Sequence, residues 1–106
     1  MSDPLVREFL LAFWKIHILH HAEEQGVYGQ WMLEELQRHG YRLSPGTLYP
    51  LLSRMRREEL VDYEWQESES GPPRKYYKLT ATGQRTLQEL RDYWQQINST
   101  ITELGR

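Results

Sequence analysis

The chain has 106 residues, no cysteine, a formal net charge of -2 and 26% charged residues, a size that fits one compact domain. Without thiols it can hold neither disulfides nor thiolate metal sites, and its slight negative charge argues for weak non-specific affinity toward a polyanion. No apolar run approaches the ~20 residues that cross a bilayer and no basic, apolar, cleavable leader is present, so cytoplasmic residence without membrane association is expected.

The first helix is expected from about Pro4 to His21. Leu5, Phe9, Ala12, Phe13 and Ile16 follow helical spacing, and Leu10, Leu11, Trp14 and Ile18 widen the apolar surface beyond one stripe, which asks for burial on more than one side. His17, His20 and His21 share a face at i, i+3 and i+4. With no cysteine and only Glu24 nearby, they read as solvated or interface histidines rather than as metal ligands, and a pH-sensitive interface is a lesser reading of the same residues. The span AEEQGVYG is a break. A second helix follows from Gln30 to His39, with Met32, Leu33 and Leu36 as its apolar positions and Gly40 as its end.

After the short loop HGYRL comes SPGTLYPLLSRMRR. A Ser-Pro pair starts a helix, since Ser44 can cap free N–H groups and Pro45 loses no bond at the first helical position. Pro50 leaves a second start open, with Thr47 as cap and Pro50 in the first turn. Either way Leu48, Leu51, Leu52 and Met55 make one apolar face. The opposite arc carries Gly46, Pro50, Ser53, Arg54 and Arg57, flanked by Thr47 and Tyr49. The two helices read as a helix-turn-helix pair whose second member enters a DNA major groove.

Past Leu60 the period becomes two. Val61, Tyr63 and Trp65 alternate with Asp62, Glu64 and Gln66, SESGPP (Ser68 to Pro73) is a turn by composition, and Arg74 to Leu79 returns as the second strand, with Tyr77 and Leu79 on the apolar face. The hairpin is a wing whose Arg74 and Lys75 leave the turn, where cations suit the minor groove or the phosphates beside it. Tyr76 and Lys78 follow along the strand.

Thr80 is placed to cap the last helix. Leu87, Leu90, Trp94, Ile97, Ile101 and Leu104 then step alternately by three and four, a heptad seam that seeks another helix. The seam, with Phe9 and Phe13 of the first helix, is expected to form a homodimer. Trp14, Tyr93 and Trp94 lie near that interface, with His17 beside them. They fill the dimer core or sandwich a planar, apolar ligand.

These residues also resemble the PadR-like transcriptional regulators, from about Phe9 to Leu90: YG at Tyr28 and Gly29, GTLYPLLSRM at Gly46 to Met55, the EELV that closes the helix, RKYYKLT at Arg74 to Thr80, and TG at Thr82 and Gly83. The resemblance implies a dimeric winged-helix repressor on a palindromic operator, often released by a small molecule or other signal. It implies that Tyr28, Thr47 and Tyr49 face DNA and that Arg74 and Lys75 are wing contacts. The chain departs from the family in an acidic wing, with Glu67 and Glu69 ahead of the turn. The short single C-terminal helix resembles the compact members, so an effector would lie between subunits.

The expected class is therefore mainly α with a small β-hairpin: a winged helix-turn-helix over residues 1–80 and a C-terminal dimerisation helix over 81–106. The expected DNA-binding set is Tyr28, Ser44, Gly46, Thr47, Tyr49, Ser53, Arg54, Arg57, Arg74, Lys75 and Tyr76. Double-stranded DNA, a second copy and a small aromatic effector are the expected partners, with no cofactor or metal. Residues 42–78 carry seven Lys or Arg against six Asp or Glu, while the remainder is acidic, so binding should depend on dimeric, shape-matched docking. No GxSxG, Gly-rich phosphate loop or HExxH occurs, and the Glu pairs at 23–24, 34–35 and 58–59 diverge around helices, so an enzyme is not expected. The competing reading is a winged helix used only for protein contacts, anchored by exposed Trp65 and Tyr76.

Overall fold

The computed structural model describes residues 3–104. Four helices and three short strands follow in the order α1 (Pro4–Glu24), β1 (Val27–Tyr28), α2 (Gly29–Arg38), α3 (Pro45–Arg57), β2 (Val61–Ser68), β3 (Gly71–Leu79) and α4 (Ala81–Leu104). The strands form one antiparallel sheet in the order β1-β3-β2. The hairpin is thus joined by a third strand inside the segment read from sequence as a break, with Val27 opposite Tyr77 and Tyr28 opposite Tyr76.

All four apolar positions of α3 are buried, beside Met32, Leu33 and Leu36 of α2 and Ile18, Leu19 and Ala22 of α1. Val61 and Tyr77 close the core from the sheet, and Leu87 of α4 is fully buried in it. Pro50 stays within α3, which starts at Pro45; of the two starts open in the sequence, the earlier one forms. Ser44 makes no side-chain cap bond to the helix. Its carbonyl instead accepts from the N–H groups of Thr47 and Leu48, both at 3.0 Å.

Helices α2 and α3 end alike. Tyr41 N–H donates to the Leu36 carbonyl and Gly40 N–H to that of Gln37, while Leu60 and Glu59 repeat the pattern on Met55 and Arg56. This double closure needs a left-handed residue just past the helix. Gly40 supplies it at φ 92° without cost, whereas Glu59 adopts φ 64° with a side chain, a strain of about 1–2 kcal/mol. Both closures set the path into the following element, so the turn before α3 and the step into β2 are fixed by backbone bonds.

Polar contacts tie α1 to α4. Glu23 accepts from Gln84 at 2.6 Å and pairs with Arg91 at 2.9 Å, and Arg91 donates to His20 Nδ1 at 2.7 Å. These contacts dock α4 on the C-terminal half of α1. The other halves stand free: Leu5, Val6 and Phe9 of α1, and Tyr93, Trp94, Ile97, Ile101 and Leu104 of α4, are exposed.

His17 meets His21 at 6.0 Å and His39 at 5.8 Å between ring centroids, and its Nδ1 is buried without a hydrogen-bond partner. Burial first, and then the neighbouring histidines, holds His17 and His21 below the ordinary imidazole value, with Glu35 opposing. The folded chain thus takes up protons here less readily than the unfolded chain. Stability is full above about pH 6.5 and is lost as pH falls through that value toward the lower folded pKa. Melting temperature is expected to fall between pH 7.5 and 5.5, and to fall less in His17→Phe; equal profiles for the two proteins would contradict this. Among the described residues, no group of three His, Cys, Asp or Glu is arranged to hold a metal ion, and no helix is long and apolar enough to cross a membrane.

Candidate nucleic-acid interface

The outer arc of α3 is open. Gly46, Tyr49, Pro50, Ser53, Arg54 and Arg57 are all exposed, as is Ser44 ahead of them, and Thr47 is half-buried. Tyr49 lies over Gly29 at the start of α2, where an added Cβ would stand 2.7 Å from its Cε1. A glycine at that position leaves room for the ring beside the start of α2. Tyr49 and Ser53 border a cleft of about 230 Å³ with Trp65, Arg74 and Lys75 on the facing wall and Tyr28, Gly29 and Gln30 at its end. Tyr28, Tyr49, Ser53, Arg74 and Lys75 of the expected DNA-binding set, drawn from β1, α3 and the wing, are therefore gathered around one cleft.

Arg74 and Lys75 are not at the tip of the wing. The hairpin turns at Glu69 and Ser70, Pro72 and Pro73 belong to β3, and Arg74 and Lys75 sit opposite Gln66 and Trp65. The turn is shorter than SESGPP because the prolines follow it, in a stretch of β3 that β1 does not reach. Proline costs no ladder bond on such an open edge. The tip is acidic, through Glu67 and Glu69, and the cations stand midway, closer to α3.

Aromatic rings hold those cations. The Arg74 guanidinium lies 4.3 Å from the Tyr28 ring centroid, and Lys75 Nζ lies 4.6 Å from Tyr63 and 5.5 Å from Trp65. Tyr28 is fixed in turn by donating to Gln66 Oε1 at 2.6 Å. Neither cation has a carboxylate at ion-pair distance among the described residues. Lys78 differs, pairing with Glu64 at 3.1 Å, and Arg56 is spent on Asp62 at 3.0 Å, which holds that carboxyl below its usual range. Rings seat a cation without neutralising it, so the positive field of Arg74 and Lys75 remains directed outward.

Other expected site residues are spread differently. Tyr76 is half-buried, packed 5.0 Å from Tyr28 and filling the space that Gly26 leaves, so it is not exposed as expected, whereas Trp65 is 62% exposed. Leu87 lies in the protomer's own core and Leu90 packs against it, which leaves the open part of the seam from Trp94 onward. Phe9 is exposed and stacks on Phe13, 5.9 Å away. Trp14 is 8% exposed and meets Tyr41, and His17 sits among Phe13, Tyr41 and the other histidines. Tyr93 and Trp94 share no ring contact with them, so one protomer does not assemble the four into a pocket. The sequence reading missed Gln66, whose bond to Tyr28 joins residues far apart along the chain, and it quoted Gly29 only as part of a motif.

Known proteins share the sequence pattern and the fold. The profile of the Transcriptional regulator PadR-like family matches residues 18–89. The chain is 46% identical over 84 residues to "Transcriptional regulator Rv3488" of Mycobacterium tuberculosis, covering 79% of this chain and 78% of that protein. A PadR-like transcription factor from Bacteroides fragilis superposes with a TM-score of 0.84 at 34% identity, covering 96% of this chain and 99% of the other. A PadR-like transcriptional regulator from Bacillus cereus gives 0.81 at 34% identity over 92% and 95%. The matched span encloses the helix-turn-helix and the wing, and this chain belongs to the PadR-like family, a family of transcriptional regulators and not of enzymes.

Proposed function

We propose that the protein is a homodimeric repressor that binds a palindromic operator, with α3 in the major groove and Arg74 and Lys75 on the adjacent backbone or minor groove. The observation that carries the reading is the pairing of an open α3 arc with two unneutralised wing cations across one cleft. Tyr49 and Arg54 are nearest base edges or phosphates, and Tyr28, Ser44, Gly46, Thr47, Ser53, Arg57 and Tyr76 position or support the contact.

Dimerisation is supported by the two exposed apolar half-helices. The C-terminal half of α4 leaves the protomer after Arg91 with a row of large apolar side chains, and the N-terminal half of α1 presents Leu5, Val6 and Phe9. An exposed apolar surface of this extent marks an interface. A two-fold that lays α4 of one copy on α1 of the other buries both faces. Helix α4 then acts as the dimerisation helix, with Trp94, Ile97, Ile101 and Leu104 as its open seam and Phe9 and Phe13 opposite; residues 105 and 106 of the expected 81–106 segment lie outside the described residues. A small aromatic effector fits the same two-fold, between the Tyr93 and Trp94 rings of two copies, because these rings are exposed and flat.

Trp94→Ala is expected to weaken the dimer at least tenfold in sedimentation equilibrium, since aromatic anchors of this kind cost about 2 kcal/mol or more. An unchanged dissociation constant would refute the seam. Repression is tested by transcription in vitro from a promoter carrying the bound site: the protein should reduce the transcript, and an increase would make it an activator.

A further inference from the structure

An α-helix in a major groove has a phosphate strand on each side, and the groove is only about 12 Å wide. The wing accounts for one side of α3. Thr47, Pro50 and Arg54 turn to the other side, where they border a cleft of about 180 Å³ with Arg7 and Leu11 of α1. Arg7 also forms part of the wall of a neighbouring cleft that runs along α1 to Gly40, Tyr41 and Arg42 in the turn before α3. Three arginines from three separate segments thus line one continuous edge. None of them has a carboxylate at ion-pair distance among the described residues. All three are exposed.

Unneutralised like charges repel, and folding alone gives no reason to gather them. Other described cations are paired: Lys15 with Glu58, Arg38 with Glu35, Arg56 with Asp62, Lys78 with Glu64 and Arg91 with Glu23. Arg57 and Arg85 aside, the described cations without an ion pair stand on the two flanks of α3, with Arg74 and Lys75 on the wing side. We propose that Arg7 and Arg42, with Arg54, form a second phosphate-binding edge that grips the DNA backbone on the side of α3 away from the wing. The inference deepens the DNA-binding reading and rests on it. The guanidinium fork suits a phosphate through two parallel hydrogen bonds. Recruiting α1 gives the helix that carries half of the expected dimer surface a direct hold on DNA, so a shift of the two subunits would change this contact.

The test measures affinity for an inverted-repeat duplex and a scrambled duplex at salt concentrations from about 50 to 200 mM, using the full chain and the variants Arg7→Gln and Arg42→Gln. Each variant removes one phosphate contact per subunit, two per dimer, and is expected to weaken both duplexes by the same factor and to flatten the log–log salt slope by about 1.8. It would then lose about 12-fold less affinity than the wild type across that salt range. A duplex with neutral methylphosphonates at the contacted phosphates should already show the loss, and Arg7→Gln should add nothing on it. A merely structural role would not produce that saturation. Wild-type slopes in both variants would overturn the second edge while leaving the wing reading intact. Failure of the wild type to bind either duplex at low salt would overturn the DNA-binding reading and this inference together.

Discussion

Gly83→Ala is expected to destabilise the protein by about 3 kcal/mol, the upper end for forcing a methyl into packed space, which for a domain of this size is a fall of roughly 12–24 °C in melting temperature. A Cβ at Gly83 would lie well inside contact distance of the Leu60 carbonyl oxygen and 2.7 Å from Leu79 Cδ1. The obstacle is backbone, and that backbone is pinned. The Thr80 N–H and hydroxyl both donate to the Leu60 carbonyl, at 3.2 and 3.0 Å, and Thr80 Oγ1 accepts from Gly83 N–H at 2.9 Å. The first turn of α4 is thus clamped onto the step between α3 and β2, the same step that holds Glu59 left-handed. Relief would require α4 to lift, withdrawing Leu87 from the core. Gly40→Ala makes the comparison: no atom lies within 4 Å of its added Cβ, so only the left-handed backbone penalty of about 1–2 kcal/mol applies. A melting temperature for Gly83→Ala equal to that of the wild type would show that α4 does not dock as described.

The double substitution Arg74→Ala with Lys75→Ala should lower the melting temperature only modestly, by roughly 4–8 °C for about 1 kcal/mol of lost ring contacts, because neither residue is in an ion pair and those contacts are at the surface. Its main effect should fall on DNA. Removing both phosphate-binding cations from each of the dimer's two wings should weaken binding to any duplex on the order of 1000-fold at low salt, at ~1 kcal/mol for each of the four charged hydrogen bonds, and flatten the salt slope by about 3.6. The internal control is Lys78→Ala. Lys78 is already spent on Glu64, so its loss should change affinity far less than the loss of Lys75, which is seated on Tyr63 and Trp65. Equal effects of Lys75→Ala and Lys78→Ala on the slope would mean that overall charge, not the seating of the cations, governs the wing.

What the sequence disclosed and what it hid follow from the range of the interactions. Leu48, Leu51, Leu52 and Met55 are all buried, because an amphipathic helix writes its buried face locally in its period. Thr80 caps α4 through Gly83 N–H, again a contact three residues long. Val27 and Tyr28 could not be recognised as a strand, since two residues show no alternation and their pairing partner, β3, lies about fifty positions away. Pro72 and Pro73 blur the wing turn, because their composition signals a turn while they stand on an open strand edge. Leu87 reads as part of an interface because three-and-four spacing marks a face without saying which chain covers it. The second arginine edge was invisible for the same reason as β1: Arg7, Arg42 and Arg54 are brought together only by folding.

Selection of bound duplexes from a random DNA pool by the full-length protein, with the enriched pool sequenced, tests dimeric operator binding most directly. The expected result is enrichment of an inverted repeat whose half-sites lie one helical turn, roughly 10 base pairs, or a multiple of it apart, as two recognition helices related by a two-fold require. A folded dimer that enriches no site, or one that enriches a single asymmetric site, would contradict it.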